Sequence, residues 1–172
     1  MIHPVVQILT PLYNEEKCFE IYVEAVESIL MARTDVEYRC LMVDDGSTDK
    51  TWELIQQQCD ASPRFRGLRL SRNFGAHTAE TAGLDLCDAD AVVILSGDLQ
   101  DPPEVVPSFV EAWLQGADVV FGHRRMRDDS RWRVLASKSF EALLRRFAMP
   151  KGSKFATGGF LLMDRKVVEC VR

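Results

Sequence analysis

The stretch Ala91-Val92-Val93-Ile94-Leu95-Ser96-Gly97-Asp98-Leu99-Gln100-Asp101-Pro102-Pro103-Glu104 decides the fold. Its first five residues are apolar on both faces of an extended chain, so they read as a strand that cannot meet water on either side. Asp101, two prolines and Glu104 then start a helix expected to reach Gln115, because proline in the first helical turn gives up an N–H that has no partner anyway. A buried strand that passes through a polar loop into a helix is the unit of a parallel sheet covered by helices.

The same unit recurs on either side. Residues 5–9 predict a strand, with Asn14 capping a helix over about 15–31. Residues 38–43 predict a second strand, followed by the turn Asp44-Asp45-Gly46-Ser47 and a helix through Cys59 capped by Thr48 or Asp49. A short strand at 67–70 and a small-residue helix at 76–86 lead into the opening stretch. Beyond it, 118–121 reads as a strand, 123–133 as a loop rich in arginine and aspartate, and 133–147 as a helix. After the loop Lys151-Gly152-Ser153-Lys154, a last strand covers 160–163 and a helix opens at 166–169. The expected architecture is α/β, a mostly parallel sheet covered on both sides. With no linker or repeat, residues 1–172 read as one domain, and the ending inside an opening helix looks like a cut.

Composition narrows the function. The 172 residues are 47% apolar and 27% charged, which excludes a disordered tail, a collagen-like repeat and a coiled coil. There are 21 basic and 26 acidic side chains, a net charge of −5, the wrong sign for a protein that binds nucleic acid by releasing counterions. No apolar run approaches the roughly 20 residues of a membrane span, and the N-terminus has no signal-peptide core. The five cysteines (Cys18, Cys40, Cys59, Cys87, Cys170) are scattered and never form a C-x-x-C pair. They are expected to be reduced thiols of a cytosolic protein, buried as small hydrophobes.

Ligands of an open parallel sheet bind beyond the carboxyl ends of its strands, which points to the loops that open at Thr10, Asp44, Ser71, Ser96 and Gly122. Asp44 and Asp45 follow a buried strand. Most simply one caps the next helix and the other is solvated; alternatively one accepts from a base N–H or a ribose hydroxyl. Asp98, Gln100 and Asp101 make a sharper cluster, oxygen ligands suited to a hard divalent cation whose remaining oxygens come from a diphosphate. Asp101 also reads as the helix cap. Arg72, Arg124 and Arg125 share this rim, and arginines bind phosphate through forked hydrogen bonds. The P-loop, the G-x-G-x-x-G dinucleotide motif and the G-x-S-x-G elbow are all missing, and His3, His77 and His123 lack metal-ligand spacing.

Placed in order, these loops resemble the family 2 glycosyltransferases of the GT-A fold. The nearest branch is the polyprenyl-phosphate sugar transferases, with dolichol-phosphate mannose synthase and the bactoprenol glucosyltransferases. The segments that carry the resemblance are Pro11-Leu12-Tyr13-Asn14-Glu15-Glu16, Val43-Asp44-Asp45-Gly46-Ser47-Thr48-Asp49, Ser71-Arg72-Asn73-Phe74-Gly75 and Ser96 to Glu104. Weaker matches are 119–124 and 158–164.

The resemblance implies a Rossmann-like domain that binds a nucleotide diphosphate sugar, UDP- or GDP-linked. Pro11, Tyr13 and Glu15 would line the base and ribose pocket, joined on the nucleotide side by Arg72. Asp44 or Asp45 would take the base N–H, and Asp98 with Gln100 would hold Mg²⁺ or Mn²⁺. Arg124 and Arg133 would face the acceptor phosphate or the leaving diphosphate. The implied reaction is an inverting transfer to a polyprenyl phosphate at the cytosolic face of a membrane, with a homo-oligomer left open. Alternatives are a nucleotide-sugar-binding module without turnover, a transferase to a saccharide hydroxyl, and a phosphoreceiver domain labelled at Asp44 or Asp45. Relatives often carry two aspartates around one residue at the metal; here the first is Ser96. Phe155 and Leu161 stand where relatives often have an acid and an arginine.

Overall fold

The computed structural model describes residues 3–122 and 159–172, all but Gly122 within one compact unit. Six strands, β1 (Val5–Leu12), β2 (Glu37–Asp44), β3 (Phe65–Arg69), β4 (Ala91–Ile94), β5 (Val119–Phe121) and β6 (Leu161–Asp164), form one sheet in the order β3-β2-β1-β4-β6-β5. Strands β1 to β4 run parallel, and β6 lies antiparallel between β4 and β5. The mostly parallel sheet read from the sequence is therefore the one observed.

Burial follows from the two-residue period of strands. Val6, Ile8 and Leu12 of β1, Tyr38, Cys40 and Met42 of β2, and Ala91 and Val93 of β4 point into one core. The helices covering that face are α1 (Phe19–Leu30), α2 (Thr51–Ala61) and α4 (Val106–Leu114). The intervening residues Leu9, Leu41, Val43, Val92 and Ile94 fill a second core under α3 (Ala76–Asp85) and α5 (Arg165–Val171). Helices thus cover both faces, as a sheet apolar on both sides requires. At the base of the first core the Tyr22 hydroxyl donates to Thr10 Oγ1 at 2.8 Å and lies 3.4 Å from Cys40 Sγ. Burial pushes the Cys40 thiol up to about 12, so it stays protonated.

Three local expectations are corrected. Asn14 does not cap α1, which begins four residues past Glu15 with Cys18 at its N-cap. Asn14 instead takes a left-handed conformation (φ 55°), which asparagine tolerates better than most residues. Pro102-Pro103 does not open α4: a 3₁₀ turn (Pro103–Val105) comes first, and Pro107 stands in the first turn of α4. Of the five cysteines, which are all free, only Cys40 is buried, while Cys170 is exposed. The predicted loop at 123–133, the helix at 133–147 and the loop at 151–154 lie outside the described residues. Among the described residues no helix is long and apolar enough to cross a membrane.

Candidate active site at the carboxyl edge of the sheet

The strand order reverses between β1 and β4, since β2 and β3 extend one way from β1 and β4 the other. The crevice above such a switch point is where α/β sheets bind ligands. Strands β1 and β2 end level, Leu12 paired with Asp44. The loop after β4 leaves against the end of β1: a Cβ on Gly97 would stand 2.3 Å from Leu12 Cδ2 and 3.5 Å from the Pro11 carbonyl oxygen. A side chain there would have to displace the buried Leu12 side chain, so the backbone of the loop bearing Asp98 packs closely on the end of β1.

The β1 and β2 loops are laced together by side chains. The Asn14 N–H donates to Ser47 Oγ (3.0 Å), and Asn14 Oδ1 accepts from the Thr48 N–H (2.9 Å). The Glu15 N–H donates to Thr51 Oγ1 (2.9 Å), and Glu16 accepts from the Lys50 N–H. Asp49 accepts from the N–H groups of Thr51 and Glu16. Burial works to raise the Asp49 carboxyl, but its hydrogen bonds outweigh that and hold it below the usual aspartate range. The N-cap of α2 is Lys50, without a side-chain cap bond, and not the expected Thr48 or Asp49; Asp49 stands one residue earlier and holds the N–H of Thr51, the first residue of the helix.

Asp44 and Asp45 are both buried, at 0% and 2% exposure, so neither is the solvated acid that the simplest sequence reading expects. Asp44 Oδ1 accepts from the Ser47 N–H at 3.0 Å. Its Oδ2 lies 3.1 Å from Arg69 Nε, an ion pair without hydrogen-bonding geometry, so that oxygen is buried with no hydrogen bond. Asp45 turns the other way and accepts at 2.8 Å from both the Phe74 and the Gly75 N–H. It thereby pins the loop that carries Arg72, whose guanidinium stacks 4.8 Å from the Phe74 ring centroid. Gly46 (φ 68°) makes the crossing possible, because a Cβ there would meet the Arg72 backbone at 2.3 Å.

Asp98 is exposed, in contrast. Its Oδ1 accepts from Ser96 Oγ at 2.6 Å and from the Gln100 N–H at 3.0 Å, across a loop in which Leu99 is left-handed (φ 55°). Backbone strain of that kind collects at functional sites. Among the described residues Oδ2 has no hydrogen-bond partner. Glu15 lies within electrostatic reach: burial, then the charges of Asp98 and Asp49, raise its carboxyl above the ordinary glutamate value. Tyr13 is 42% exposed on the same lip, and Asp101 is buried.

Pro11, Tyr13 and Glu15 stand at or just past the end of β1 and Asp98 and Gln100 past the end of β4, on the two sides of the switch point, with Asp44, Asp45 and Arg72 on the β2 side. Arg124 and Arg133 lie outside the described residues. Asn14, Ser47 and Thr51 brace the site unforeseen, as does the ion pair of Arg69. The left-handed tendency of asparagine was the one available signal, and only for Asn14.

Among the described residues no three His, Cys, Asp or Glu side chains converge on a metal position. The oxygen on offer at this loop is Oδ2 of the Asp98 carboxylate, whose Oδ1 is held by the Ser96 hydroxyl and the Gln100 main-chain N–H. So sparse and hard a set fits a cation such as Mg²⁺, which keeps several waters and takes phosphate oxygens, and does not fit a closed nitrogen- or sulfur-ligated site.

Comparison with known proteins places the chain in a family. The model of the family described as glycosyl transferase family 2 matches residues 7–172. A bactoprenol glucosyl transferase of Shigella phage SfV is 33% identical over 168 residues, 97% of this chain and 54% of the relative. An undecaprenyl-phosphate 4-deoxy-4-formamido-L-arabinose transferase of Photorhabdus laumondii is 36% identical over 140 residues, 81% of this chain and 43% of the relative. In three dimensions, the Pyrobaculum calidifontis mannosyltransferase solved with GDP-Man and Mn²⁺ superimposes with a TM-score of 0.67. That match has 19% identity and covers 99% of this chain and 47% of that one. The chain belongs to glycosyl transferase family 2, and its fold is the GT-A fold that the sequence resemblance implied. It spans about half the length of the curated relatives it matches.

Proposed function

We propose that this chain forms the donor-binding part of a cation-dependent, inverting glycosyltransferase that moves a sugar from a nucleotide diphosphate sugar to a polyprenyl phosphate. The observation that carries this reading is Asp98: a carboxylate at the end of a buried strand, one oxygen held by two donors, on the lip where Glu15 and Tyr13 also stand. Family membership and the substrates printed in the names of two relatives support the transfer and the lipid acceptor. The ligands printed for the solved mannosyltransferase support a nucleotide sugar with Mn²⁺.

Pro11, Tyr13 and Glu15 line the base and ribose side of the crevice. The unbonded Oδ2 of Asp44 and the remaining lone pairs of Asp45 are the acceptors for a base N–H, and Arg72 faces the nucleotide. Asp98 and Gln100 would hold the Mg²⁺ or Mn²⁺, which would neutralise charge on the leaving diphosphate. Arg124 and Arg133 are assigned to the acceptor phosphate. A lipid phosphate is already anionic near neutral pH, so the chain needs no general base and works by positioning and charge. The full-length protein would act at the cytosolic face of a membrane.

Calorimetry with UDP and GDP, each with Mn²⁺ and with EDTA, tests the reading. Affinity for one nucleotide that rises with Mn²⁺ is the expected result; no binding of either at millimolar concentration would overturn it. Ser96, in place of a second aspartate, favours one other reading, a binding module without turnover. A full-length protein that binds donor but neither hydrolyses it nor glycosylates a lipid phosphate would establish that one.

A further inference from the structure

Asp98 is the single carboxylate of its loop that faces solvent, and a lone exposed aspartate is a poor cation ligand unless its orientation is fixed beforehand. A free carboxylate rotates, and ordering it upon binding costs side-chain entropy. Here the order is built in. The short charge-assisted bond from Ser96 Oγ (2.6 Å) and the bond from the Gln100 N–H (3.0 Å) converge on the same oxygen. That leaves Oδ2 as the oxygen on offer. The two donors differ in kind: the Gln100 N–H belongs to a backbone already fixed by the left-handed Leu99, whereas the Ser96 hydroxyl is a side-chain contribution that can be removed without touching the main chain.

Resting on the proposed donor site, we infer that Ser96 is a positioning residue. Its hydroxyl locks Asp98 so that a divalent cation is taken up together with a nucleoside diphosphate, the diphosphate supplying the ligands that a second carboxylate would otherwise provide. An aspartate at position 96 would instead put two like charges two residues apart beside Glu15, whose carboxyl already feels Asp98. Serine avoids that repulsion in the metal-free protein and supplies a proton donor where aspartate would be an acceptor only. The consequence is strong coupling: cation and nucleotide each bind weakly alone and tightly together.

The quantity to measure is the gain in UDP or GDP affinity on replacing EDTA by Mn²⁺, by calorimetry, in the wild type, Ser96→Ala and Ser96→Thr. Ser96→Ala is expected to cut that gain about tenfold, in the range for loss of a hydrogen bond that orients a metal ligand. Affinity in EDTA should be unchanged, and Ser96→Thr, which keeps the hydroxyl, should restore the gain. If the wild type shows no gain at all, the cation site of the proposed function falls and this inference with it. If the wild type shows the gain and Ser96→Ala keeps it in full, the role of Ser96 alone is overturned. Equal loss with Mn²⁺ and with EDTA would also overturn it, since Ser96 would then act on the nucleotide or the loop and not through Asp98.

Discussion

The loops after β2 and after β4 leave the same edge of the sheet from largely buried strands, and both carry acids, yet they spend them differently. After β2, Asp44 and Asp45 are buried; three of their four oxygens accept hydrogen bonds from backbone N–H groups and the fourth pairs with Arg69. After β4, Asp98 is exposed, and both of its hydrogen bonds fall on one oxygen. The first loop is a strut that ties β1, β2 and the 71–75 loop into one frame. The second holds a single group out over that frame. A carboxylate committed to backbone donors stabilises the fold, and one with a free, oriented oxygen has binding capacity left.

Four substitutions break or sharpen this contrast. Asp98→Asn should act chiefly on function. With Asp98 as the proposed cation ligand, its loss is worth several kcal/mol of transition-state stabilisation, so the proposed transfer by the full-length protein should fall by about a hundredfold or more. The Mn²⁺-dependent gain in nucleotide affinity should vanish while the urea unfolding midpoint shifts only by the small relief of repulsion on Glu15. Asp45→Ala should act on the fold first. The Phe74 N–H loses its acceptor and the Gly75 N–H keeps only Asn73 Oδ1, at a cost of about 2 kcal/mol in urea unfolding. Unchanged stability with lost nucleotide binding would show that Asp45 serves the proposed base contact alone and would erase the contrast. Gly46→Ala places a Cβ 2.3 Å from the Arg72 backbone at φ 68° and should cost about 2 kcal/mol by the same measurement.

The smallest effect belongs to Glu15, which bridges the two regimes. Its folded-state carboxyl is raised above the ordinary 4.5, by burial first and then by Asp98 and Asp49. From 4.5 upward to the raised value the folded chain therefore binds more protons than the unfolded one, and stability falls as pH rises through that window. Glu15→Gln should flatten that part of the stability–pH curve. Asp98→Asn should reduce the same slope, because it removes the larger of the two like charges acting on Glu15; an unaltered slope would show that the two carboxylates do not share a lip.

Strand and helix identities were legible because burial on both faces of β1, β2 and β4 leaves continuous apolar runs, and the loops between them have their own turn residues. Asp98 was legible for a related reason: a charge at the end of an apolar strand stands out, and its neighbours in sequence, Ser96 and Gln100, are also its neighbours in space. The roles of Asp44 and Asp45 were not. Adjacent residues at a strand end point to opposite sides, so one turns toward Ser47 and Arg69 and the other toward Phe74 and Gly75, 29 and 30 residues away. Asn14 looked like a helix cap, yet its partner Thr48 is 34 residues distant. Periodicity and local spacing are properties of the chain alone, so the sequence by itself determined the layers of this protein and the carboxylate at the crest of β4. Which acids became struts was decided only by tertiary structure, because a hydrogen bond between loops depends on how the strands beneath them are ordered in the sheet.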